Sequence, residues 1–353
     1  METLKKIIVN SDLSIKQALK RMDETGEKIL FVAKDTNVLL GTVTDGDIRR
    51  WILKGFSLSR PISKLMNTNP VVLNEGYSKE EAKNLMISKA IECIPIIDDE
   101  RHVMSAIWWV DFFDKAIKKY EPINIPVVIM AGGEGTRLAP YTNILPKPLM
   151  PIGDKPIIEL IIDKFYEFGC KDFYLSLNYK ESIIKAYFND LTRNYSINYF
   201  QEEKPLGTVG SLHMLEGVIK TPFFVSNCDI LVKADYSDIL GFHKENKNKI
   251  TLIVSMKHYV IPYGTCEIEN GGMLKSIKEK PEYDFLVNTG LYLMESDVLK
   301  DIPKNKCYHA TDLLNDYLKN DEKIGVYPVS EKSWVDLGQL QELQNTLQKF
   351  GVK

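Results

Sequence analysis

The chain has 353 residues, a formal net charge of −3, and unremarkable apolar (44%) and charged (26%) fractions, enough for two domains with separate cores. This charge balance and the lack of a dense Lys/Arg tract argue against nucleic acid as a partner. Five scattered cysteines (Cys93, Cys170, Cys228, Cys266 and Cys307) form no CxxC pair, and no membrane span or signal-peptide core is found, so a cytoplasmic protein with reduced thiols is expected.

The first third repeats itself. An offset of 64 residues sets Ser14 on Ser78, Ala18 on Ala82, Met22 on Met86, Asp35 on Asp99 and Asp47 on Asp111. Each copy, about 1–58 and 59–120, opens on a helical stretch, SIKQALKRMDETG or SKEEAKNLMISKA. An apolar strand (KILFVAKD or ECIPIIDD), a turn, a second strand and a helix follow. Ser14 with Gln17, and Ser78 with Glu81, fit the capping-box spacing. One copy alone would leave its apolar face in water, whereas two can cover each other.

This α+β pattern resembles a tandem pair of CBS domains over residues 1–120. The best-matching segment is GTVTDGDIR, Gly41–Arg49. The resemblance implies an adenine nucleotide with its phosphate at Thr44 and its ribose at Asp47. In the second copy those positions hold Trp108 and Asp111, so the small hydroxyl is missing there. Read without the resemblance, TDGD is a turn with local side-chain hydrogen bonds. A dimer-forming role stands beside nucleotide binding.

The run KKYEPINIP, Lys118–Pro126, interrupts the helical pattern and sets a boundary near Pro122, giving domains 1–120 and 124–353. Beyond it, strands alternate with helices: VVIM, a helix at 156–168, FYLSL, a helix at 181–188, INYF, a helix near 208–215, FFVS and a helix at 237–245. That order predicts a mainly parallel, three-layer α/β sheet with ligands beyond the carboxyl ends of the strands.

The central stretch is Val127–Pro148, VVIMAGGEGTRLAPYTNILPKP. It lacks the Lys-Ser/Thr of a P-loop, and Leu138 stands where a dinucleotide fingerprint needs its third glycine. Gly132, Gly133 and Gly135 at a strand end let several N–H groups converge on phosphate oxygens. Arg137 adds a fork of donors and Lys147 a compact charge. The full string closely resembles the sugar-phosphate nucleotidyltransferases. The resemblance implies a Rossmann-like, GT-A-like nucleotidyltransferase domain, with Ala131, Gly132, Gly133, Gly135 and Thr136 on the nucleotide and Arg137 and Lys147 in catalysis.

It also assigns the remaining motifs. EEKPLGTVG, Glu202–Gly210, would face the base through Pro205, Gly207 and Thr208, with Gln201 just ahead; Thr208 reads equally as a helix cap. FFVSNCD supplies Asn227 to the nucleotide and Asp229 to Mg²⁺, and WVDLG supplies the second metal carboxylate, Asp336. Tyr263, Gly264, Glu279, Asn288 and Thr289 would surround the sugar, and Lys280 would meet its phosphate. Thr311-Asp312 reads as a helix cap.

The implied reaction joins a sugar 1-phosphate to an NTP, releasing pyrophosphate. Within the family the combination most resembles a bacterial guanylyltransferase branch making GDP-sugars, GDP-glucosamine for legionaminic acid among them. GTP and glucosamine 1-phosphate are therefore the expected substrates, and a homo-oligomer is expected from the CBS pair. UTP, dTTP or CTP, and mannose or heptose 1-phosphate, stay open, as does a nucleotide-sensing regulator with an inactive transferase domain.

Overall fold

The computed structural model describes residues 2–34, 37–89, 91–112 and 122–338. Asp35 and residues 118–121 of the junction lie outside the described residues. The chain separates into two units, Met1–Lys119 and Tyr120–Lys353. No helix among the described residues is long and apolar enough to cross a membrane.

In the first unit the sequence repeat reappears as strand register. Each copy builds a three-stranded sheet, from Ile8–Asn10, Ile29–Ala33 and Leu39–Thr44, and from Leu73–Asn74, Cys93–Ile97 and Val103–Trp108. Ile29 pairs with Thr44 and Cys93 with Trp108, and the register slips at Val32/Ala33 and again at Ile96/Ile97. Partner and slip positions alike are related by the offset of 64. Ser14 and Gln17 form a complete capping box on the helix Ile15–Thr25, and Ser78 Oγ accepts the Glu81 N–H at 3.0 Å ahead of Lys79–Lys89.

In both copies the carboxylate after the last strand accepts the N–H of that strand's final residue. Thr44 caps the helix Asp45–Leu53, its hydroxyl donating to Asp47 Oδ2 at 2.7 Å and accepting the Asp47 N–H at 3.2 Å. Arg50 holds the other oxygen of Asp47 at 2.5 Å. Both residues expected at an adenine nucleotide are thus engaged with each other. At the equivalent place in the second copy, Asp111 accepts the Trp108 N–H at 2.7 Å, at the start of the 3-10 turn Trp109–Asp111.

The second unit is built on a seven-stranded sheet. Its strands, in chain order, are β1 (Val127–Met130), β2 (Asp172–Leu177), β3 (Ser196–Gln201), β4 (Phe223–Asn227), β5 (Ile250–Val260), β6 (Glu282–Met294) and β7 (Ile324–Val329). The spatial order is β3-β2-β1-β4-β6-β5-β7. β6 alone runs antiparallel to both neighbours; the other pairings are parallel. The order reverses between β1 and β4, the switch point at which a cleft opens beyond the strand ends.

Strand alternation sends successive residues of β1 to opposite faces. Val127 and Ile129 join a core with Ile157, Ile161 and Phe165 of the helix Ile157–Tyr166 and with Tyr236 of Tyr236–Glu245. Val128 joins the opposite core with Leu212, Phe223, Leu313 and Tyr317. Phe165 and Tyr236 stack at 4.5 Å between centroids, and each such buried ring contributes roughly 2–3 kcal/mol. These two cores hold the strand ends that carry the functional loops.

One expected element differs. The helix expected near 208–215 is a 3-10 helix, Gly210–Leu215, and Thr208 does not cap it. Thr208 Oγ1 instead accepts the Ala310 N–H at 2.8 Å, at the start of the helix Ala310–Lys319. The segment is packed tightly on its neighbour, for a Cβ at Gly210 would lie 2.8 Å from Lys306 O.

Candidate active site

β1 is apolar and β-branched up to Met130, then meets glycines and turns. Gly135 takes the left-handed conformation (φ 68, ψ 33) that opens a 3-10 turn, Thr136–Leu138, and a Cβ there would lie 2.8 Å from Lys147 Cβ. The glycine thus does two things: it allows the backbone reversal and lets the Lys147 stem lie flat on the turn. The backbone N–H groups of residues 133–137 have no acceptor among the described residues. Consecutive open amides of this kind form a concavity that suits an anion. Arg137 is exposed beside them, with no ion pair among the described residues.

Lys147 leaves the turn and pairs with Asp229, which follows the end of β4. The short strands Ile230–Val232 and Trp334–Asp336 pair antiparallel, with Ile230 opposite Asp336, so the second carboxylate arrives beside the first. Leu337 N donates to Asp229 O at 2.7 Å and closes the junction. A single point measures the result: a Cβ on Gly338 would lie 2.4 Å from Asp229 Oδ2, 2.8 Å from Lys147 Nζ and 3.0 Å from Asp336 Oδ1. An ammonium and two carboxylates, far apart in sequence, converge there.

That donor set fits a hard divalent cation such as Mg²⁺, which takes one or two protein carboxylates and completes its shell with water and substrate phosphates. Among the described residues no cluster of three or more His, Cys, Asp or Glu forms a fuller cage. Beside Asp229, burial and then the Asp229 charge push the Cys228 thiol up to about 12, and a hard cation takes oxygen ligands.

The loop expected to face the base is anchored from below. Glu202 is buried (6% exposed); its Oε1 accepts Ser176 Oγ at 2.6 Å and its Oε2 accepts the Leu206 N–H at 3.0 Å. Gln201, Pro205 and Thr208 are exposed above it. Gly207 rests on the backbone of Tyr308, 2.6 Å from its carbonyl oxygen by the same Cβ measure.

Along the segment expected to border the sugar, the register slip in β5–β6 skips Thr289 and Gly290. Thr289 Oγ1 donates to Ile253 O at 2.8 Å and is buried, so its hydroxyl holds the bulge instead of facing the cleft. Asn288 donates to Tyr292 Oη at 2.7 Å and accepts the Gly290 N–H at 2.9 Å. Gly290 lets Asn227 pack beside it, 2.4 Å from its Nδ2 by the Cβ measure, so the expected nucleotide and sugar segments meet. Tyr263, Gly264, Glu279 and Lys280 sit exposed around the hairpin Thr265–Ile268/Leu274–Lys278. Glu279 Oε2 approaches Gly264, whereas Lys280 has no part in the Lys147–Asp229 pair.

Sequence reasoning passed over Ser176, Asn178, Tyr179 and Lys180 at the end of β2, and Thr142 within the signature stretch. The available signal was position alone, since the end of a parallel strand is where such folds collect functional groups.

The fold and this site define a nucleotidyl transferase: residues 126–351 match the nucleotidyl transferase family model and the chain belongs to that family, with CBS domains matched at 3–54 and 62–105. Its relatives are sugar-phosphate guanylyltransferases. It is 32% identical over 193 residues to the D-glycero-alpha-D-manno-heptose 1-phosphate guanylyltransferase of Campylobacter jejuni, covering 54% of this chain and 86% of that one. It is 29% identical over 222 residues to the mannose-1-phosphate guanyltransferase of Saccharomyces cerevisiae, covering 60% of this chain and 61% of that one. Among solved structures it resembles HddC of Yersinia pseudotuberculosis at a TM-score of 0.51 and 25% identity, over 64% of this chain and 99% of that one; that protein has also been solved in complex with GMP-PN.

Proposed function

We propose that the chain is a sugar-1-phosphate guanylyltransferase, using GTP and a sugar 1-phosphate to form a GDP-sugar and pyrophosphate. The observation that carries this reading is the meeting of Lys147, Asp229 and Asp336 at Gly338, beside a turn of open amides. The base assignment draws on the guanylyl relatives. Glucosamine 1-phosphate is the acceptor the sequence resemblance ranks first; heptose and mannose 1-phosphates are the acceptors in the relatives' names.

Both reactants are anions, so the chemistry needs orientation and charge neutralisation above all. A phosphate oxygen of the sugar 1-phosphate forms a bond to the α-phosphorus while the bond to the bridging oxygen of the β-phosphate breaks, and pyrophosphate leaves with the electron pair. The amides of residues 133–137 and the Arg137 guanidinium hold the departing β- and γ-phosphates. Lys147 neutralises the reacting α-phosphate and Lys280 the sugar phosphate. Asp229 and Asp336 would hold Mg²⁺, which supplies positive charge toward the phosphates when bound. No general base is required, because the attacking phosphate is already ionised at neutral pH. Pro205, Gly207 and Thr208 face the base, and Tyr263, Gly264, Glu279 and Asn288 border the sugar.

The test is a pyrophosphate-release screen crossing GTP, ATP, UTP, CTP and dTTP with glucosamine, mannose, heptose and glucose 1-phosphates. GTP should be preferred. A stronger rate with UTP or dTTP would overturn the base assignment, and no release with any pair would overturn the activity. Repeating the best pair with AMP, ADP or ATP reads control through the CBS unit, and light scattering reads its expected role in oligomerisation.

A further inference from the structure

Thr142 links the two halves of the signature stretch. Its side chain is buried, and Oγ1 donates to Gly135 O at 3.0 Å. Gly135 O also accepts the Leu138 N–H at 2.9 Å. A trans peptide points its C=O and N–H in opposite directions. Fixing the Gly135 carbonyl on this side therefore aims the Thr136 N–H outward, among the open amides of the turn.

Thr142 is itself held from the end of β2. Its carbonyl accepts Tyr179 Oη at 3.3 Å and Lys180 Nζ at 3.2 Å, and Lys180 reaches on to Asn143 O at 2.6 Å. Lys180 does this from a left-handed backbone (φ 52), which a residue bearing a side chain keeps only where its surroundings hold it. The same strand end touches the other two loops. Tyr179 N donates to Gly132 O at 3.3 Å, and Asn178 Nδ2 donates to Glu202 O at 2.6 Å. One tripeptide thus ties together the glycine turn, the approach to Lys147 and the base loop.

We propose that Lys180 is a positioning residue that, through Thr142, holds the open amides of the glycine turn in register for a pyrophosphate-type ligand. The inference rests on reading that turn as the triphosphate cradle. Lys180 acts at one remove, since its ammonium is engaged by two backbone carbonyls. A lysine that merely caps a turn would have the same contacts, so the discriminating quantity is the ligand half that responds.

The experiment uses the full chain and inorganic pyrophosphate with Mg²⁺, binding being read by calorimetry and turnover in parallel. Lys180→Met should weaken pyrophosphate binding and raise KM for the nucleotide by about tenfold, the scale of one charge-assisted hydrogen bond. KM for the sugar 1-phosphate should stay within about twofold, and Lys180→Arg should restore most of the loss. Thr142→Val keeps the shape, removes the hydroxyl and changes no charge; it should reproduce the Lys180→Met pattern. If Thr142→Val binds pyrophosphate like the wild type, the Lys180 effect is long-range charge alone and the inference fails. It fails equally if both substrates' KM values move together with a falling melting temperature. Wild-type protein that binds pyrophosphate but turns over no NTP would sink the proposed activity and leave the positioning role standing.

Discussion

The ion pair between Lys147 Nζ and Asp229 Oδ2 is shielded, with side chains only 14% and 16% exposed. Each partner is what makes the other's charge tolerable there, and Asp336 adds a second negative group at the same point. Asp229→Ala should therefore lower kcat by about a thousandfold, on the order of 4 kcal/mol of transition-state stabilisation, while circular dichroism stays unchanged. Wild-type turnover at saturating Mg²⁺ would contradict the metal assignment. Lys147→Ala should reduce kcat more than nucleotide affinity, and an unchanged kcat would remove it from the chemistry.

Gly338 gives a sharper test, because its neighbours are the site itself. A methyl at this position would lie within 3.0 Å of Asp229 Oδ2, Lys147 Nζ and Asp336 Oδ1 at once. Gly338→Ala must push at least one of these groups aside. Turnover should fall by about a hundredfold or more, since an ångström of misplacement is enough for that. Far-UV dichroism should remain wild-type. A fully active Gly338→Ala protein would mean that the three groups do not converge in solution.

Much of this was legible in the chain because the signals were local. The Ser14/Gln17 capping box, the offset of 64 and the β-branched run into Gly132 each sit within one stretch, and each reappears in the structure. Asp229 and Asp336 were expected at one Mg²⁺ through the family resemblance alone. What brings them together, the pairing of Ile230 with Asp336 between strands distant in the chain, has no local signal in the sequence. The partners of the Thr208 and Thr289 hydroxyls were hidden for the same reason. A hydroxyl in a polar motif looks available, yet their actual partners, the Ala310 N–H and the Ile253 carbonyl, come from elsewhere in the chain.

The five cysteines divide by burial. Cys93, Cys170 and Cys228 are buried and Cys266 and Cys307 are exposed. Burial raises all three interior thiols, Cys170 and Cys228 to about 12. Only the thiolate reacts with alkylating reagents. Native protein near pH 8 should thus lose two thiols rapidly to iodoacetamide, with mass mapping to Cys266 and Cys307. All five should react in denaturant. Rapid native alkylation of Cys228 would show that the strand end carrying Asp229 opens to solvent.

His243 predicts how the catalytic unit responds to acid. Its ring is fully buried in the helix Tyr236–Glu245, with Nδ1 2.8 Å from Thr251 Oγ1 and Nε2 3.2 Å from Glu295 Oε1. Burial lowers its pKa; Glu295 opposes that and Lys244 adds to it, leaving the group below its ordinary value. The folded protein therefore binds a proton at His243 less readily than the unfolded chain does. Stability from this residue is present above the unfolded value of about 6.5 and is lost as pH falls through it. His243→Gln should be the less stable protein near neutral pH. Its melting temperature should then approach that of the wild type between about pH 7.5 and about pH 5.5, because only the wild type carries this proton-linked loss. A gap that stayed constant would contradict the lowered pKa, and one that widened on acidification would mean that Glu295 holds the folded ring as a cation.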